Sequence, residues 1–419
     1  MAKQRVIIVG GGVIGVCCAY FLAKRGFQVT LVERNKVGSG ASSGNAGSVA
    51  AGHTPINKPG RIGHALRELY NPRSAVRIPI RWDPSLAKWL WKYRSFCNPE
   101  DFETSSRILS SLGHATLALF DVLVEEEDLQ CGYRRDGFFE VCLTNIGLEH
   151  VKSDVRNMIR HGYSPSMVSG KELREVEPML KKEIRGGAYF PEGATCDPSR
   201  FVLGMASSAE RLGARILVGR AVTEVLNGDT QITGIRLDTG QEMECDAVVL
   251  TTGSYSQSLT EKFGFRLPVQ PGKGYHRDVK FSGQGATSPK KTFVMSEASV
   301  FCSPMGEFTR FAGTIEFTGM SHELTRERLD YTTSSAEKYL HGLEDAEILS
   351  EWAGLRPCTP DGIPCVGPVP GYSGFFVATG HATLGLTLAP ITGKIMEQCI
   401  AGDDRLSLEI EAMGIGRFW

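Results

Sequence analysis

The sequence predicts an α/β protein organised around a doubly wound, Rossmann-like domain. Three observations predict it: a β-branched run near the first residue, a glycine-rich turn directly after it, and a second buried run that ends in an acid. Residues 5–9 (RVIIV) read as a parallel strand buried on both faces. Gly10, Gly12 and Gly15 follow in G-x-G-x-x-G spacing and open a helix, "VCCAYFLAKRG", that stops near Gly26. The next strand, "QVTLVE", ends in Glu33.

Each part of this unit has a mechanical reason. Gly10 permits the tight turn, Gly12 lets a pyrophosphate approach the backbone, and Gly15 lets helix and strand pack closely. The helix start, with Val13 and Ile14, offers unpaired N–H groups to phosphate. Glu33 accepts from ribose hydroxyls, and Arg34 follows it at the same edge. The competing reading is a glycine-rich turn in an unrelated α/β unit. The segment after it, "RNKVGSGASSGNAGSVAAG" (34–52), is too polar and small-residued to be core. It suits close wrapping of a flat ligand through backbone amides and through Ser42, Ser43, Asn45, Ala46 and Gly47; the alternative is a flexible linker.

Further along, "DPSRFVLGMASSAERLG" reads as a helix with Asp197 as N-cap and Pro198 in the first turn, stopping at Gly213. "GARILVGRAVTEVLN" and "ITGIRLDTGQEMECDAVVLTTGSYS" read as a β-meander and a strand closing on a small-residue turn. Val222, Thr252 and Gly253 are its expected cofactor contacts. "FFVATGHATLGLTLAPITGKIMEQCIAG" (375–402) reads as a buried strand, a turn through Gly380, and a helix opening near Thr383, Leu384 and Gly385. His381 stands beside this turn, as either a polar contact or a structural residue.

Composition bounds the function. Hydrophobic residues make up 42% and charged ones 22% of 419 residues, which is ordinary for a globular protein of two to three domains. The net charge of −1 gives no electrostatic case for nucleic acid. Eleven scattered cysteines show no C-x-x-C pair and no zinc spacing, and read as buried thiols in a reducing compartment, hence a cytoplasmic expectation. No uninterrupted apolar run reaches about 18 residues, so no spanning helix is expected, and glycines interrupt what would otherwise resemble a signal peptide near the N-terminus.

One stretch stands apart. "RSAVRIPIRWDPSLAKWLWKYR" (73–94) carries six basic residues against Asp83 alone, with Trp82, Trp89 and Trp91 interleaved. From Pro84 onward, Leu86, Trp89, Leu90 and Tyr93 share one helical face. A membrane-surface helix and an ordinary packed helix both fit this pattern.

Arg356 is set in "GLRPCTPDG" between a glycine and turn residues. A fork held this firmly suits a planar anion, and a substrate α-carboxylate matches it in a two-bond clamp; a structural salt bridge is the alternative. Within "QPGKGYHRD" (270–278), Tyr275 is read as closing over substrate or bonding its carboxylate, and Lys273 as tuning reactivity beside the cofactor. A solvent-facing strand edge is the competing reading for both.

Taken together, G-x-G-x-x-G…Glu33, the SSGNAG segment, "VVLTTGSYS" and "GLRPCTPDGIPCVGP…GHATLG" resemble the FAD-dependent D-amino-acid oxidase superfamily, nearest to D-amino-acid dehydrogenases and glycine-oxidase-like relatives. The resemblance implies non-covalent FAD. It also implies a discontinuous layout: an FAD-binding domain from 1–60, 150–265 and 346–419, with an inserted α+β, antiparallel-sheet substrate domain from 61–149 and 266–345. It implies that Arg356 binds the substrate carboxylate and that the 383–385 amides face the flavin. The expected reaction is oxidative deamination of a D-amino acid or proline-like imino acid by hydride transfer from Cα to flavin N5. The acceptor is left open between O₂, a quinone and a redox partner, with peripheral contact to the cytoplasmic face of a membrane through 73–94 as an option. A glycine- or sarcosine-type oxidase, an NAD-binding module and a non-enzymatic flavoprotein remain the alternatives.

Overall fold

A computed structural model describes residues 4–52, 54–60, 74–79, 81–282, 287–403 and 407–418. Two sheets carry the architecture. The first has six strands in the order Cys365–Pro368, Phe375–Thr379, Ala247–Leu250, Arg5–Val9, Gln28–Glu33 and Arg215–Val218. All neighbours run parallel except the first pair. The helix Val13–Arg25 is buried over nearly its whole length between helices Gly385–Ala401 and Pro198–Arg211. An all-round apolar helix has no solvent face to offer. It ends where Gly26 turns left-handed at φ 101°, and Asp197 caps Pro198–Arg211 by accepting from Ser199 and Arg200 N–H. A small antiparallel sheet, Val222–Asn227, Ile232–Leu237 and Glu242–Glu244, lies beside this domain.

The second sheet has Glu347–Cys358, Gln270–Lys280, Thr309–Glu316, Val300–Pro304, Phe293–Met295, Phe138–Cys142, Gly186–Phe190 and Ser166–Ser169 in that order, with Val76–Arg77 added along Thr309–Glu316. It is antiparallel except where Phe293–Met295 meets Phe138–Cys142 and where Val76–Arg77 joins. The expected strands near 137–145 and 310–319 are both here. The expected boundaries at 150 and 346 are not boundaries of this sheet: Ser166–Ser169, Gly186–Phe190 and Glu347–Cys358, expected with the nucleotide domain, pair into it. Strand pairing between segments distant in the chain decides that, and local periodicity carries no trace of it.

The 73–94 stretch begins outside the described residues at Arg73. Its helix, Pro84–Phe96, is capped by Asp83 and buries Leu86 and Trp89. Trp89 donates its ring N–H to the Cys358 carbonyl at 3.0 Å, and stacks on Tyr93 at 5.4 Å. The predicted inner face is therefore a packed face, set against the strand that carries Arg356. Helix Pro99–Glu126 is long and apolar enough to cross a membrane by length and composition, with mean hydropathy 1.4 over its best window, unlike the expectation from uninterrupted runs. It is amphipathic: Leu109, Leu112, Leu117, Phe120 and Leu123 are buried in the core, while Arg107 and His114 face out. That pattern is the signature of a core helix.

Candidate active site

The glycine turn has the tightness its spacing predicts. Gly10 sits at φ 110°, and a Cβ there would stand 2.9 Å from the Thr251 carbonyl oxygen. A Cβ on Gly15 would stand 1.9 Å from the Gly10 carbonyl oxygen, so helix and turn pack with no room for a side chain. Gly12 caps the helix in an extended conformation with no side-chain cap. Ser42 Oγ accepts the Val13 N–H at 2.9 Å, which seats the 42–47 segment on this turn. The N–H groups of Ile14 and Gly15 have no partner among the described residues, as a phosphate-receiving helix start requires. Glu33 is held at the strand end by N–H groups of Gly11 (2.7 Å) and Asn35 (2.8 Å). Each of its oxygens keeps a further lone pair for a ribose hydroxyl.

Around this turn, Arg34 lies over the Tyr255 ring, 3.8 Å from its centroid. Thr252 Oγ1 is 2.9 Å from Ser256 Oγ, and the Gly253 carbonyl accepts from Thr379 Oγ1 at 3.0 Å. Val222 stands further out, half-buried at the start of its strand. In the 42–47 segment, Asn45 Oδ1 accepts the Gly47 N–H at 2.8 Å. Gly47 is at φ 74°, with the Cys196 carbonyl 2.4 Å from where its Cβ would be. Ser43 bonds locally to the Gly40 carbonyl at 3.3 Å, and Ala46 is half-buried.

At the far end of the chain, Gly380 (φ 83°) and Ala382 (φ 46°) fold the turn that delivers helix Gly385–Ala401. The Ala382 N–H reaches the Pro357 carbonyl at 2.9 Å, tying this turn to the Arg356 strand. The Leu384 N–H is taken up by the His381 carbonyl at 2.8 Å, whereas those of Thr383 and Gly385 have no partner among the described residues. Of the three expected amides, two stand free to meet developing negative charge. His381 is buried with Nε2 at 2.9 Å from Thr392 Oγ1. Burial alone pushes its pKa down to about 3, so it stays neutral and pins turn to helix.

Arg356 is half-buried, and Nη1 donates to the Thr314 carbonyl at 2.9 Å. No carboxylate lies within ion-pair range of it among the described residues, and Nε and Nη2 have no partner there. Burial pulls its pKa down from the ordinary arginine value, only partly offset by the Cys358 thiol. The guanidinium lies flat over Gly274, where a Cβ would meet it at 2.6 Å. The indole of Trp352 lies likewise over Gly354, at 2.1 Å from where a Cβ would be. Gly274 and Gly354 are register partners. Two facing glycines thus let the guanidinium and the indole lie flat against the paired strands on one face of the sheet.

Lys273 and Tyr275 do not share this face. Gly272 pairs with Arg356 and Lys273 with Leu355, and side chains alternate across a strand. Arg356 therefore shares its face with Gly274 and His276, while Lys273 and Tyr275 project from the other. There the Tyr275 hydroxyl donates to Glu316 Oε2 at 2.6 Å, and Lys273 Nζ lies 3.4 Å from the same oxygen and donates to the Glu323 carbonyl at 3.0 Å. Burial and Glu316 push the Tyr275 pKa up. Both groups are engaged in a buried network on the face opposite Arg356. Sequence reading picked the odd positions of "QPGKGYHRD" and passed over His276 and Asp278, because strand register is invisible until the pairing is known. It also missed Trp352 and Arg310.

A parallel sheet with a phosphate-type glycine turn, a cradle of small residues and an unpaired guanidinium nearby defines a dinucleotide-dependent oxidoreductase site. The chain belongs to the DAO family, described as FAD dependent oxidoreductase, whose profile matches residues 5–398. It is 30% identical over 404 residues to a D-amino acid dehydrogenase of Methylobacterium radiotolerans, covering 95% of this chain and 96% of that one. In fold it is similar to the glycine oxidase of Bacillus cereus, with TM-score 0.74, 24% identity and 98% of both chains covered. It is likewise similar to the L-proline dehydrogenase of P. horikoshii, with TM-score 0.75, 20% identity, and 99% and 98% covered. The residues present fit FAD: the glycine turn leaves no space for side chains where a pyrophosphate must approach, and its free N–H groups await an acceptor.

Proposed function

We propose that the protein oxidatively deaminates a D-amino acid or a proline-like imino acid. The observation that carries this is the half-buried Arg356 fork, which lies over Gly274 without a carboxylate partner among the described residues. A substrate carboxylate supplies the missing anion in a two-bond clamp, which fixes the Cα–H direction. Bound FAD supplies a two-electron acceptor for the hydrogen removed from Cα. The chain's own part is to hold the carboxylate on Arg356 and to present the Thr383 and Gly385 amides where negative charge grows. Loss of the Cα hydrogen and an N–H proton leaves an imine. Water then releases ammonia and a 2-oxo acid, or a cyclic imine persists from a ring substrate. No side-chain base is required if the amine enters uncharged. The test is a panel of D-amino acids, glycine, sarcosine and proline, run in parallel with oxygen and with an artificial dye. Turnover of glycine or sarcosine alone, with oxygen, would replace this reading by the oxidase alternative.

A dehydrogenase acceptor at a membrane is the second reading, and exposed tryptophans favour it. Trp82 is 94% exposed and Trp91 71%, on the outer side of the Pro84–Phe96 helix. We propose that this side makes peripheral contact with an anionic, cytoplasmic-side bilayer, from which a quinone takes the electrons.

A further inference from the structure

The segment 43–45 is gripped from the substrate sheet by a buried charged cluster that the reaction itself does not use. Arg310 Nη1 donates to two carbonyls, those of Ser43 at 2.8 Å and Asn45 at 2.9 Å. Its Nε and Nη2 are locked on the Asp278 carboxylate at 2.8 and 3.0 Å, and Ser350 Oγ donates to the same carboxylate at 2.9 Å. His276 Nδ1 donates to the intervening Gly44 carbonyl at 3.0 Å. Trp352 stacks on the His276 ring with centroids 5.1 Å apart, and lies against Gly44 so closely that a Cβ there would meet the indole at 2.3 Å. His276, Asp278 and Arg310 are all buried.

Three successive carbonyls are thus drawn to one side. In a trans peptide the N–H points opposite to the C=O, and no cis bond occurs among the described residues. The carbonyls held by Arg310 belong to the peptides whose N–H groups are those of Gly44 and Ala46. Both N–H groups have no partner among the described residues. They point away from Arg310, in a segment that Ser42 seats on the glycine turn.

We propose that Arg310, paired with Asp278, and His276 are positioning residues for the cofactor: they set the 43–45 backbone so that the Gly44 and Ala46 N–H groups face acceptor atoms of FAD. A buried ion pair is a poor way to gain stability, but a rigid two-carbonyl donor fixes peptide orientation as few other groups do. His276 stays neutral because burial and then Arg310 push its pKa down to about 4, against the pull of Asp278. Its single ring proton is committed to Gly44.

The inference rests on FAD dependence and not on the identity of the substrate, so its test contains no amino acid. Apoprotein is titrated with FAD, and the visible spectrum of the bound flavin is recorded, for the pair variant Arg310→Met/Asp278→Asn and for His276→Phe, which keeps the stack on Trp352. Ser350→Ala serves as a control that leaves the loop contacts intact. The expected result is FAD binding at least 30-fold weaker in the pair variant and at least 5-fold weaker in His276→Phe, with altered flavin absorption bands. The far-ultraviolet circular dichroism of the apoproteins stays native, and Ser350→Ala binds within 3-fold. Binding within 3-fold in His276→Phe with an unchanged spectrum overturns the proposal, whether or not the pair variant folds. Loss of affinity seen only together with an unfolded apoprotein in both variants also overturns it, by assigning the cluster to fold stability.

Discussion

At the scale of the residue, a charge without a carboxylate partner among the described residues carries the functional argument. Leaving a half-buried guanidinium with only the Thr314 carbonyl to neutralise it costs stability, and an arriving anion recovers that cost. Removing one partner of a buried charge pair costs on the order of 2–5 kcal/mol, which is about a thirtyfold to several-thousandfold loss in kcat/KM. Arg356→Ala is expected to show that loss on the best amino acid while FAD content stays native. Arg356→Lys should lose much of it too, because an ammonium cannot reproduce a planar fork. An Arg356→Ala enzyme within about threefold of native kcat/KM would place the anchor elsewhere. His381 makes a different prediction. Its folded pKa, about 3, lies below the ordinary histidine value of 6.5. The unfolded chain therefore takes up a proton that the folded one refuses, and stability falls as pH drops from about 6.5 toward 3. Glu140, raised to about 7 by burial, works in the opposite sense over the upper part of that range. The comparison must be between proteins: His381→Asn should lower the slope of stability against pH by about 1.2 kcal/mol per unit between pH 5 and 6. Equal slopes by urea denaturation would mean that His381 titrates normally. Both residues were legible as candidates in the sequence, but their roles were not. What separates them is burial and partner, since Arg356 lacks an acid whereas His381 has Thr392.

At the scale of the element, the local motifs were legible and the lateral ones were not. The strand–turn–helix at 5–25 declares itself through contacts within a dozen residues, so G-x-G-x-x-G, the Gly26 stop and the acid at Glu33 all stand where expected. Lys273 and Tyr275 went astray because the face of a strand depends on the partner strand, 80 residues away in Glu347–Cys358. One substitution tests how tightly the nucleotide turn is built. Gly15→Ala puts a methyl 1.9 Å from the Gly10 carbonyl oxygen, and backbone cannot yield as a flexible side chain does. Overpacking of this kind costs typically ~1–3 kcal/mol, and here it also opens the turn that FAD needs. The variant should purify largely without flavin and melt several degrees lower. Gly40→Ala, where a Cβ meets nothing within 4 Å, is its control and should do neither. A yellow, native-melting Gly15→Ala protein would show that helix and turn have slack.

At the scale of the whole molecule, the distribution of charge decides how the protein meets a surface. The net charge of −1 gives no long-range pull toward an anionic bilayer. The basic stretch at 73–94 is also weaker than its sequence suggests. Arg77 pairs with Glu316 at 3.3 Å, Arg81 with Asp83, and Lys92 Nζ donates to the Phe418 carbonyl at 3.1 Å. Lys88 and Arg94 remain exposed on the outer face with Trp91 between them. At roughly 1 kcal/mol per basic residue near an anionic surface, two charges give attraction of only about 30 mM. The proposed contact would therefore draw chiefly on Trp82 and Trp91, since amphipathic aromatic rings favour the headgroup level. Flotation with anionic vesicles at low ionic strength is expected to carry a fraction of the protein upward, with tryptophan emission shifted to the blue. Trp82→Ser/Trp91→Ser should abolish both effects, whereas Lys88→Ser/Arg94→Ser should weaken them and remove most of the salt dependence. Protein that stays at the bottom of the gradient at low salt would leave Trp82 and Trp91 without a membrane role. In that case the Pro84–Phe96 helix serves the site only from within, by holding the Cys358 carbonyl through Trp89.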